Sequence, residues 1–369
     1  MRQGTRECNV QVALDTNSLY VTRAGTSRYV RGLQKGFLEL SPRGITIREL
    51  AWPVENFHYR QPWRGVKTLY REIVWARIIA PILLTGSRTD LLHRCTPSCP
   101  ISKPRKVREV VTLHDLAILR YPERFRPWHR QADIRRLSLL PRADRIICDS
   151  QFTADEAISL LGLSASRIAI IPLGHDFDPL EEGTDPGVSR DLLHNGFFLF
   201  VGSLEPGKNL SLLREVYANA NAQGRPLPPL VIVGTRWAGV PTEGAPDQRW
   251  HYLGRQPDTV LAWLYRKALA LVFPSKYEGF GLPVLEAMAM GCPVICSRVA
   301  SLGEVGGDCC LYAHMDAGSY ADAMARIQTD DSLRLDLARR GKMRASLFSW
   351  RTCASQTLDV YHQAMHQTA

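Results

Sequence analysis

Two glutamates, Glu278 and Glu286, lie eight residues apart on either side of a turn that is broken by glycines. They belong to LVFPSKYEGFGLPVLEAMAMGCPVICS, residues 271–297, whose pattern is typical of a buried strand, a turn, a helix and a second buried strand. Open α/β sheets bind ligands where their strands end, and the N–H groups at the start of a helix attract anions. The segment therefore predicts a phosphate-binding turn between two acids.

The turn itself is made of the short run Gly279, Phe280, Gly281 and Leu282, at which a helix is expected to begin. Glu286 follows one turn into a segment that otherwise looks buried, and a buried carboxylate needs hydrogen-bond donors. Sugar hydroxyls would supply them, whereas a second phosphate would repel both acids. This arrangement predicts a nucleotide sugar as ligand. The alternatives are that Glu278 is an ordinary surface charge and that Glu286 pairs with a core arginine.

The segment from Glu278 to Glu286 resembles the E-x7-E motif of retaining glycosyltransferases of family 4. Further segments match in the order that the family has them, and together they span roughly residues 10–360. They are the glycine loop GTSRY at 25–29, HD at 114–115 after a strand, ADRIICDS at 143–150, IIPLG at 170–174, FVGSLEPGKNL at 200–210 and VIVG at 231–234.

The resemblance implies an α/β fold of the GT-B type, in which two Rossmann-like, doubly wound domains face each other across a cleft. The acceptor domain would comprise residues 1–178, to which a C-terminal helix at 350–369 returns, and the donor domain residues 179–349. Length alone favours two domains, since 369 residues exceed one ordinary core. Apolar runs independently predict six strands on each side of a polar linker, DFDPLEEGTDPGVS, with amphipathic helices between them.

Residue roles follow from the resemblance. Glu278, Lys208 and His114 are implied as catalytic: the first glutamate contacts the sugar hydroxyls, the lysine the diphosphate, and the histidine lies near the sugar and phosphate. Donor-binding positions are implied at Gly25, Ser203, Gly279, Phe280, Gly281, Leu282 and Glu286. Structural alternatives remain, because an isolated lysine is usually solvated, His114 could be a strand-end histidine, and Gly25 would be needed for a tight turn in either interpretation.

The sequence departs from the family pattern at Gly207, where many relatives carry an arginine. One phosphate contact is then lost or comes from another side chain. Arg236, after the VIVG strand, and Arg28, beside the first glycine loop, are the two candidates on position alone.

The combined motifs are most similar to bacterial mannosyltransferases that build surface polysaccharides such as lipopolysaccharide. We therefore expect a retaining, metal-independent enzyme without a cofactor that takes its sugar from GDP-mannose. The acceptor would be a saccharide or a lipid-linked saccharide. Two alternatives stay open: a GT-B phosphorylase or synthase of storage sugars, and a catalytically silent subunit that binds nucleotide sugars. The silent subunit is disfavoured because Lys208, Glu278 and Glu286 are all present.

Charge is concentrated in the first half of the chain. The net charge is +10, and residues 1–184 hold 28 basic and 19 acidic residues. The basic stretches at 103–108 and 121–136 either face an anionic membrane or a lipid-diphosphate acceptor, or form a solvated helix face. No nucleic-acid-binding motif is present, so nucleic acid is not expected as a partner. Without a signal-peptide core or a membrane-length apolar run, a cytoplasmic location is expected, with the inner face of the membrane as one site.

Cysteines and a D-x-D sequence are the remaining metal candidates. Nine cysteines form no repeated framework, and Cys95 and Cys99 have no second ligand pair, so both are interpreted as reduced thiols. Asp176 and Asp178 lie at the start of the polar linker. No metal site is predicted.

Overall fold

The structure, a computed structural model, describes residues 9–22, 25–56, 62–178, 180–187, 196–235 and 249–366. The chain divides into two compact units. The first comprises Met1–Gly174 with Ser349–Ala369, and the second His175–Phe348. Each unit contains a six-stranded sheet.

The sheet of the first unit has the order β2-β1-β3-β4-β5-β6, and every pair of neighbours is parallel. Parallel strands covered by helices on both faces are buried along their length, as in the VALD and EVVTL runs. The strands are β1 Val10–Asp15, β2 Ile45–Leu50, β3 Leu91–Arg94, β4 Arg108–Leu113, β5 Arg145–Cys148 and β6 Ile168–Ile170.

Seven α-helices lie in the described N-terminal part of this unit. They are α1 Ser18–Val21, α2 Gly25–Leu40, α3 Arg64–Tyr70, α4 Ala80–Gly86, α5 Ala117–Arg120, α6 Pro127–Leu137 and α7 Gln151–Leu161. A π-helix, Arg71–Ile79, joins α3 to α4, so the helical segment Arg64–Gly86 is interrupted by wider turns.

The second unit repeats the architecture with the sheet order β12-β11-β10-β7-β8-β9, again with parallel neighbours. Its strands are β7 Phe198–Val201, β8 Leu230–Val233, β9 Trp250–Gly254, β10 Ala270–Phe273, β11 Val294–Cys296 and β12 Leu311–Tyr312. Its helices are α8 Leu210–Ala222, α9 Asp258–Lys267, α10 Leu282–Ala289, α11 Leu302–Gly306, α12 Ala317–Thr329 and α13 Asp331–Ala345.

Helix α13 was not predicted. Its apolar stripe is narrow, since only Leu337, Gly341 and Ala345 are buried in a charged segment. Asp330 caps it by accepting the Leu333 amide at 2.8 Å. Gly341 packs against Met288 of α10, where an added Cβ would lie 3.3 Å from the Met288 side chain. Helix α13 therefore supports the helix that begins at the predicted phosphate turn.

The glycine loop expected at 25–29 is instead helical, because Gly25 is the first residue of α2. Residues 23 and 24, which precede it, lie outside the described part of the chain.

A final helix, α14 Trp350–His366, packs against α2 in the first unit. Two glycines of α2 allow the close approach. A Cβ added at Gly32 would lie 2.1 Å from the Trp350 indole, and one at Gly36 would lie 2.3 Å from the Trp350 carbonyl oxygen. Only glycine permits such a short separation of two helices.

A buried chain of hydrogen bonds ties α14 to the sheet. The Tyr361 hydroxyl lies 2.7 Å from His93 Nδ1, His93 Nε2 lies 2.8 Å from the Thr112 hydroxyl, and that hydroxyl lies 2.9 Å from Tyr29 Oη. Burial lowers the pKa of His93 to about 3, so its ring is neutral and can both donate and accept. Among the described residues, no helix is both long and apolar enough to span a membrane.

Replacing Gly32 with alanine should destabilise the first unit by about 1–3 kcal/mol, because the new methyl group overlaps Trp350. The midpoint of urea unfolding measures this change. Gly65→Ala is the matched control, since Gly65 lies in α3 with no atom within 4 Å of an added Cβ. It should be neutral or stabilise by up to about 1 kcal/mol. Equal midpoints for the two variants would contradict this account of the docking.

Candidate active site

The site in the second unit forms where β7 and β10 end. These strands are neighbours, with Ala270 opposite Phe198, so the loops that follow them meet. The amide of Lys276 donates to the Gly207 carbonyl at 2.8 Å, and the Ser275 hydroxyl oxygen lies 3.2 Å from the same carbonyl oxygen. The lysine turn and the glutamate loop are thus joined through the backbone of Gly207.

Lys208 and Glu278 form an ion pair, Nζ to Oε1. The Ser275 hydroxyl donates to the same carboxylate oxygen at 2.5 Å. Only 17% of the lysine side chain and 11% of the glutamate side chain are exposed, and Nζ lies 5.5 Å from the centroid of the Phe273 ring. Two residues that are distant in sequence are therefore held together as a sheltered, charge-balanced pair, which sequence reasoning did not foresee.

The start of α10 is built by a glycine with a positive φ. Gly281 has φ +102°, and Ser301 Oγ lies 2.9 Å from the carbonyl oxygens of Glu278 and Phe280 on the preceding loop. The amides of Val284 and Leu285 donate to the Gly281 carbonyl. The expectation of several free amides is therefore too broad. Pro283 has no N–H, so Leu282 carries the remaining amide of the first helical turn.

Glu286 lies in the first turns of α10 and is 2% exposed. Its Oε2 accepts a hydrogen bond from Tyr265 Oη at 3.1 Å. The Phe177 ring packs edge-on against Tyr265, with 5.7 Å between centroids. Sequence reasoning missed Tyr265 because it lies in the apolar helix α9, where a tyrosine looks like an ordinary core residue.

Close backbone contact fixes the neighbouring strand end. A Cβ at Gly234, which has φ +150°, would lie 1.7 Å from the Gly202 carbonyl oxygen, so β7 and β8 end in touching glycines. Ser203 follows directly, and its carbonyl accepts the Glu205 amide at 3.0 Å. Ser203 therefore shares this strand-end region with Lys208.

The two candidates for the missing arginine are placed differently. Arg236 lies outside the described residues. Arg28 lies on α2 in the first unit, as does Gly25. The roles predicted for both toward a donor phosphate remain predictions.

His114 lies in the first unit, where both ring nitrogens are hydrogen bonded. Nδ1 lies 2.6 Å from Asp149 Oδ2, and Nε2 lies 2.9 Å from the Cys95 carbonyl oxygen. Burial alone would lower the pKa of His114, but the Asp149 carboxylate and the Cys95 carbonyl outweigh it and raise the pKa above 6.5. Sequence reasoning placed His114 but missed its carboxylate partner, 35 residues away.

The cysteines and the D-x-D aspartates are the residues that were considered for metal binding. Cys95 and Cys99 are buried and free, and burial raises the pKa of the Cys99 thiol to about 12. Asp178 accepts the Leu180 amide at 2.8 Å. In the described ranges, no three His, Cys, Asp or Glu residues cluster as metal ligands.

Two families match the two units. Residues 25–178 match the family described as Glycosyltransferase Family 4, and residues 196–330 match Glycosyl transferases group 1. The chain is also 35% identical over 275 residues to the O-antigen chain mannosyltransferase B of Escherichia coli, an alignment that covers 70% of this chain and 71% of that protein. The chain belongs to glycosyltransferase family 4.

Other family 4 relatives are more distant. A D-inositol 3-phosphate glycosyltransferase of Corynebacterium efficiens is 27% identical, over 69% of this chain and 65% of its own length. The E. coli serotype-specific mannosyltransferase WbdA is 26% identical over 71% of this chain, which spans only 34% of that longer protein.

Solved structures share the fold. Sucrose-phosphate synthase from Thermosynechococcus elongatus superposes with a TM-score of 0.68 at 20% identity, covering 96% of this chain and 98% of that structure. WaaG, a glycosyltransferase involved in lipopolysaccharide biosynthesis, gives 0.64 at 16% identity, with 95% and 99% covered. The predicted α/β GT-B fold and the predicted family are confirmed, and the chain is a glycosyltransferase.

The ion pair of His114 makes a pH-dependent prediction. Because its folded pKa is raised, the stabilisation is complete below pH 6.5 and is lost as the pH rises through the folded pKa. Asp149→Asn should therefore cost about 2 kcal/mol at acidic pH and progressively less at alkaline pH, measured by urea unfolding.

Asp144→Asn is the control, since Asp144 pairs with Arg108 at 2.9 Å and arginine does not titrate in this range. Its stability loss should stay constant across the same pH series. A loss for Asp149→Asn that is equally constant would show that His114 does not carry the effect.

Proposed function

We propose that this glycosyltransferase is a retaining, metal-independent mannosyltransferase that transfers mannose from GDP-mannose to a saccharide or lipid-linked saccharide. The observation that carries the proposal is the Lys208–Glu278 pair beside the start of α10, with Glu286 buried in the same helix. Similarity to an O-antigen chain mannosyltransferase supports mannose as the sugar.

The cation of the pair has a clear role in breaking the donor bond. As the bond between the anomeric carbon and the phosphate oxygen breaks, negative charge grows on the departing diphosphate. The Lys208 ammonium and the Leu282 amide would stabilise that charge in a sheltered site. A metal ion is not needed for this step if these two donors suffice. The protons of the Lys208 ammonium remain in place throughout.

Glu278 would exchange its partner when the donor binds. Lys208 turns toward the diphosphate, and the sugar hydroxyls donate to the Glu278 carboxylate in its place. The acceptor oxygen then forms its bond to the anomeric carbon on the face that the phosphate leaves, and a phosphate oxygen takes the acceptor proton. This step balances without an enzymic base or nucleophile and retains the anomeric configuration.

Glu286 would bind the ribose, with Tyr265 holding one carboxylate oxygen. The Tyr265 hydroxyl occupies Oε2, so a ribose hydroxyl would find the carboxylate already oriented. Preorganisation of this kind lowers the ordering cost of binding.

A second acceptor class is a phosphorylated polyol. The 27% identity to D-inositol 3-phosphate glycosyltransferases favours it, as does the basic first half of the chain. Parallel transfer assays with a mannose-terminated lipid-linked saccharide and with inositol phosphate separate the two classes. An assay with inorganic phosphate and free saccharide tests the phosphorylase alternative.

The donor is tested by thermal shift with GDP, UDP, ADP and dTDP, followed by transfer of labelled sugar. A nucleotide that binds the folded state stabilises it by mass action, about 2.7 kcal/mol at one hundred times its Kd. GDP should raise the Tm most, and GDP-mannose should yield a product with unchanged anomeric configuration. A larger shift with UDP, or inverted product, would overturn the assignment.

Removing either member of the ion pair should slow transfer strongly, for different reasons. Lys208→Met should lower kcat by about 10²–10³ and weaken GDP binding, because it removes the phosphate contact. Glu278→Gln should lower kcat comparably but leave the GDP affinity within a few fold. Calorimetry and initial rates measure both. Wild-type rates in either variant would remove Lys208 and Glu278 from the chemistry.

Tyr265→Phe should weaken GDP binding by about tenfold, since a hydrogen bond to a charged group contributes about 1.5–3 kcal/mol. Tyr217→Phe is the matched control. Tyr217 lies on α8 of the same unit, and its buried hydroxyl donates to the Pro228 carbonyl at 2.7 Å. The two variants should lose similar stability, but only Tyr265→Phe should change the GDP affinity. Equal affinities would show that Tyr265 serves the fold alone.

A further inference from the structure

The helical segment from Arg64 to Gly86 presents an apolar face to solvent as well as one to the core. Its inward face is formed by Trp75, Ala76, Ala80 and Leu84, which are buried against the first unit's sheet. Seven large apolar side chains from Trp63 to Leu83 are 45–66% exposed, and we call six of them, all but Leu83, the apolar stripe. They are Trp63, Val66, Leu69, Ile73, Ile78 and Ile82.

The π-helix keeps the two faces apart over this length. Its hydrogen bonds reach from residue i to i+5, which widens each turn between Arg71 and Ile79. Exposed Ile73 and Ile78 are five residues apart across it, as are buried Trp75 and Ala80. An uninterrupted α-helix would rotate these residues out of line. Solvent-facing apolar residues that continue in one stripe mark an interaction surface.

Two basic segments lie beside this helix. The Ser102 amide donates to the Ala76 carbonyl at 2.8 Å, which places residues 103–108 beside it. That stretch holds four basic residues and no acid, and Arg105 and Lys106 are exposed. Three residues of chain span at most about 11 Å, so Arg105 remains within about that distance of Ser102, which is bonded to the helix.

Helix α6 carries much of the second basic segment. Arg136 pairs with Glu72 of the π-helix and with Asp133. One arginine thus pairs with both the single acid of the 64–86 segment and the single acid of α6. Arg130, exposed on α6, lies six residues from Arg136, or about 9 Å along the helix.

We propose that the apolar stripe and its basic flanks form a docking surface for an anionic lipid bilayer. Apolar side chains would enter the headgroup and acyl boundary, while Arg105, Lys106 and Arg130 contact lipid phosphates. The helix would lie in the plane of the membrane surface. This combination of an apolar centre and cationic rims matches an anionic bilayer, whereas a second copy of this basic chain would be repelled. It also unites the basic stretches at 103–108 and 121–136 with this helix.

Sedimentation with phosphatidylcholine vesicles, with and without phosphatidylglycerol, tests the surface on the full chain without any donor. The result is therefore independent of the proposed sugar transfer. Wild type should bind vesicles that contain phosphatidylglycerol, and high salt should weaken that binding. Leu69→Ser combined with Ile73→Ser should reduce binding by roughly tenfold or more, because each side chain loses its apolar burial.

Two matched controls separate the surface from general effects. Leu335→Ser combined with Met343→Ser removes exposed apolar side chains from α13 and should leave binding unchanged. Arg105→Glu combined with Lys106→Glu should reduce binding by roughly tenfold, at about 1 kcal/mol per charge.

The proposal fails on any of three results. Wild type that sediments with neither vesicle excludes a bilayer as the partner. Stripe variants that bind as wild type exclude the stripe. A concentration-dependent dimer in analytical ultracentrifugation that Leu69→Ser with Ile73→Ser makes monomeric would assign the stripe to a second copy of the chain.

Discussion

The ion pair between Lys208 and Glu278 is the constraint on which the second unit's site depends. Removing two charges from water is costly unless both are paired and hydrogen bonded, and here the Ser275 hydroxyl adds a second donor to the carboxylate. The loops that carry the pair are joined through the Gly207 carbonyl, so neither charge has to be ordered when a ligand arrives. In our proposal the diphosphate takes the place of the Glu278 carboxylate as the anionic partner of Lys208. Lys208 then has an anionic partner both before and after the donor binds, so binding adds little to the free-energy cost of keeping its ammonium out of water.

Backbone packing fixes the frame around that pair. Gly234 touches the Gly202 carbonyl, and Gly281 adopts a conformation that side chains disfavour, so the strand ends and the helix start have little room to vary. Behind α10, Gly341 packs against Met288, which seats the helix on α13. Within the first unit, Gly32 and Gly36 perform the same function for α14. The fold thus places glycine wherever two backbones must approach closely, and the polar side chains lie between these fixed points.

The sequence predicted the periodic elements and the residues of the motif. Each expected strand is present, since continuous apolar runs such as LVIV are read directly, and the family motifs assigned Lys208 and Glu278 to one donor site without predicting their ion pair. Long-range partners were not predicted. Tyr265 and Asp149 reach Glu286 and His114 from other elements, and no local pattern marks such contacts. Helix α13 was missed because its buried stripe is one residue wide, and the π-helix because wider turns have no compositional signal. The glycine loop expected at 25–29 was wrong because these residues form the first turns of a helix.

A crystal structure of the protein with GDP is the most direct test of the central claim. The account predicts a β-phosphate within hydrogen-bond distance of Lys208 Nζ and the Leu282 amide, with the ribose hydroxyls on Glu286. Lys208 should have turned away from Glu278, whose carboxylate then faces the space for the sugar. A diphosphate bound elsewhere, or a Lys208–Glu278 pair left intact beside bound GDP, would contradict it.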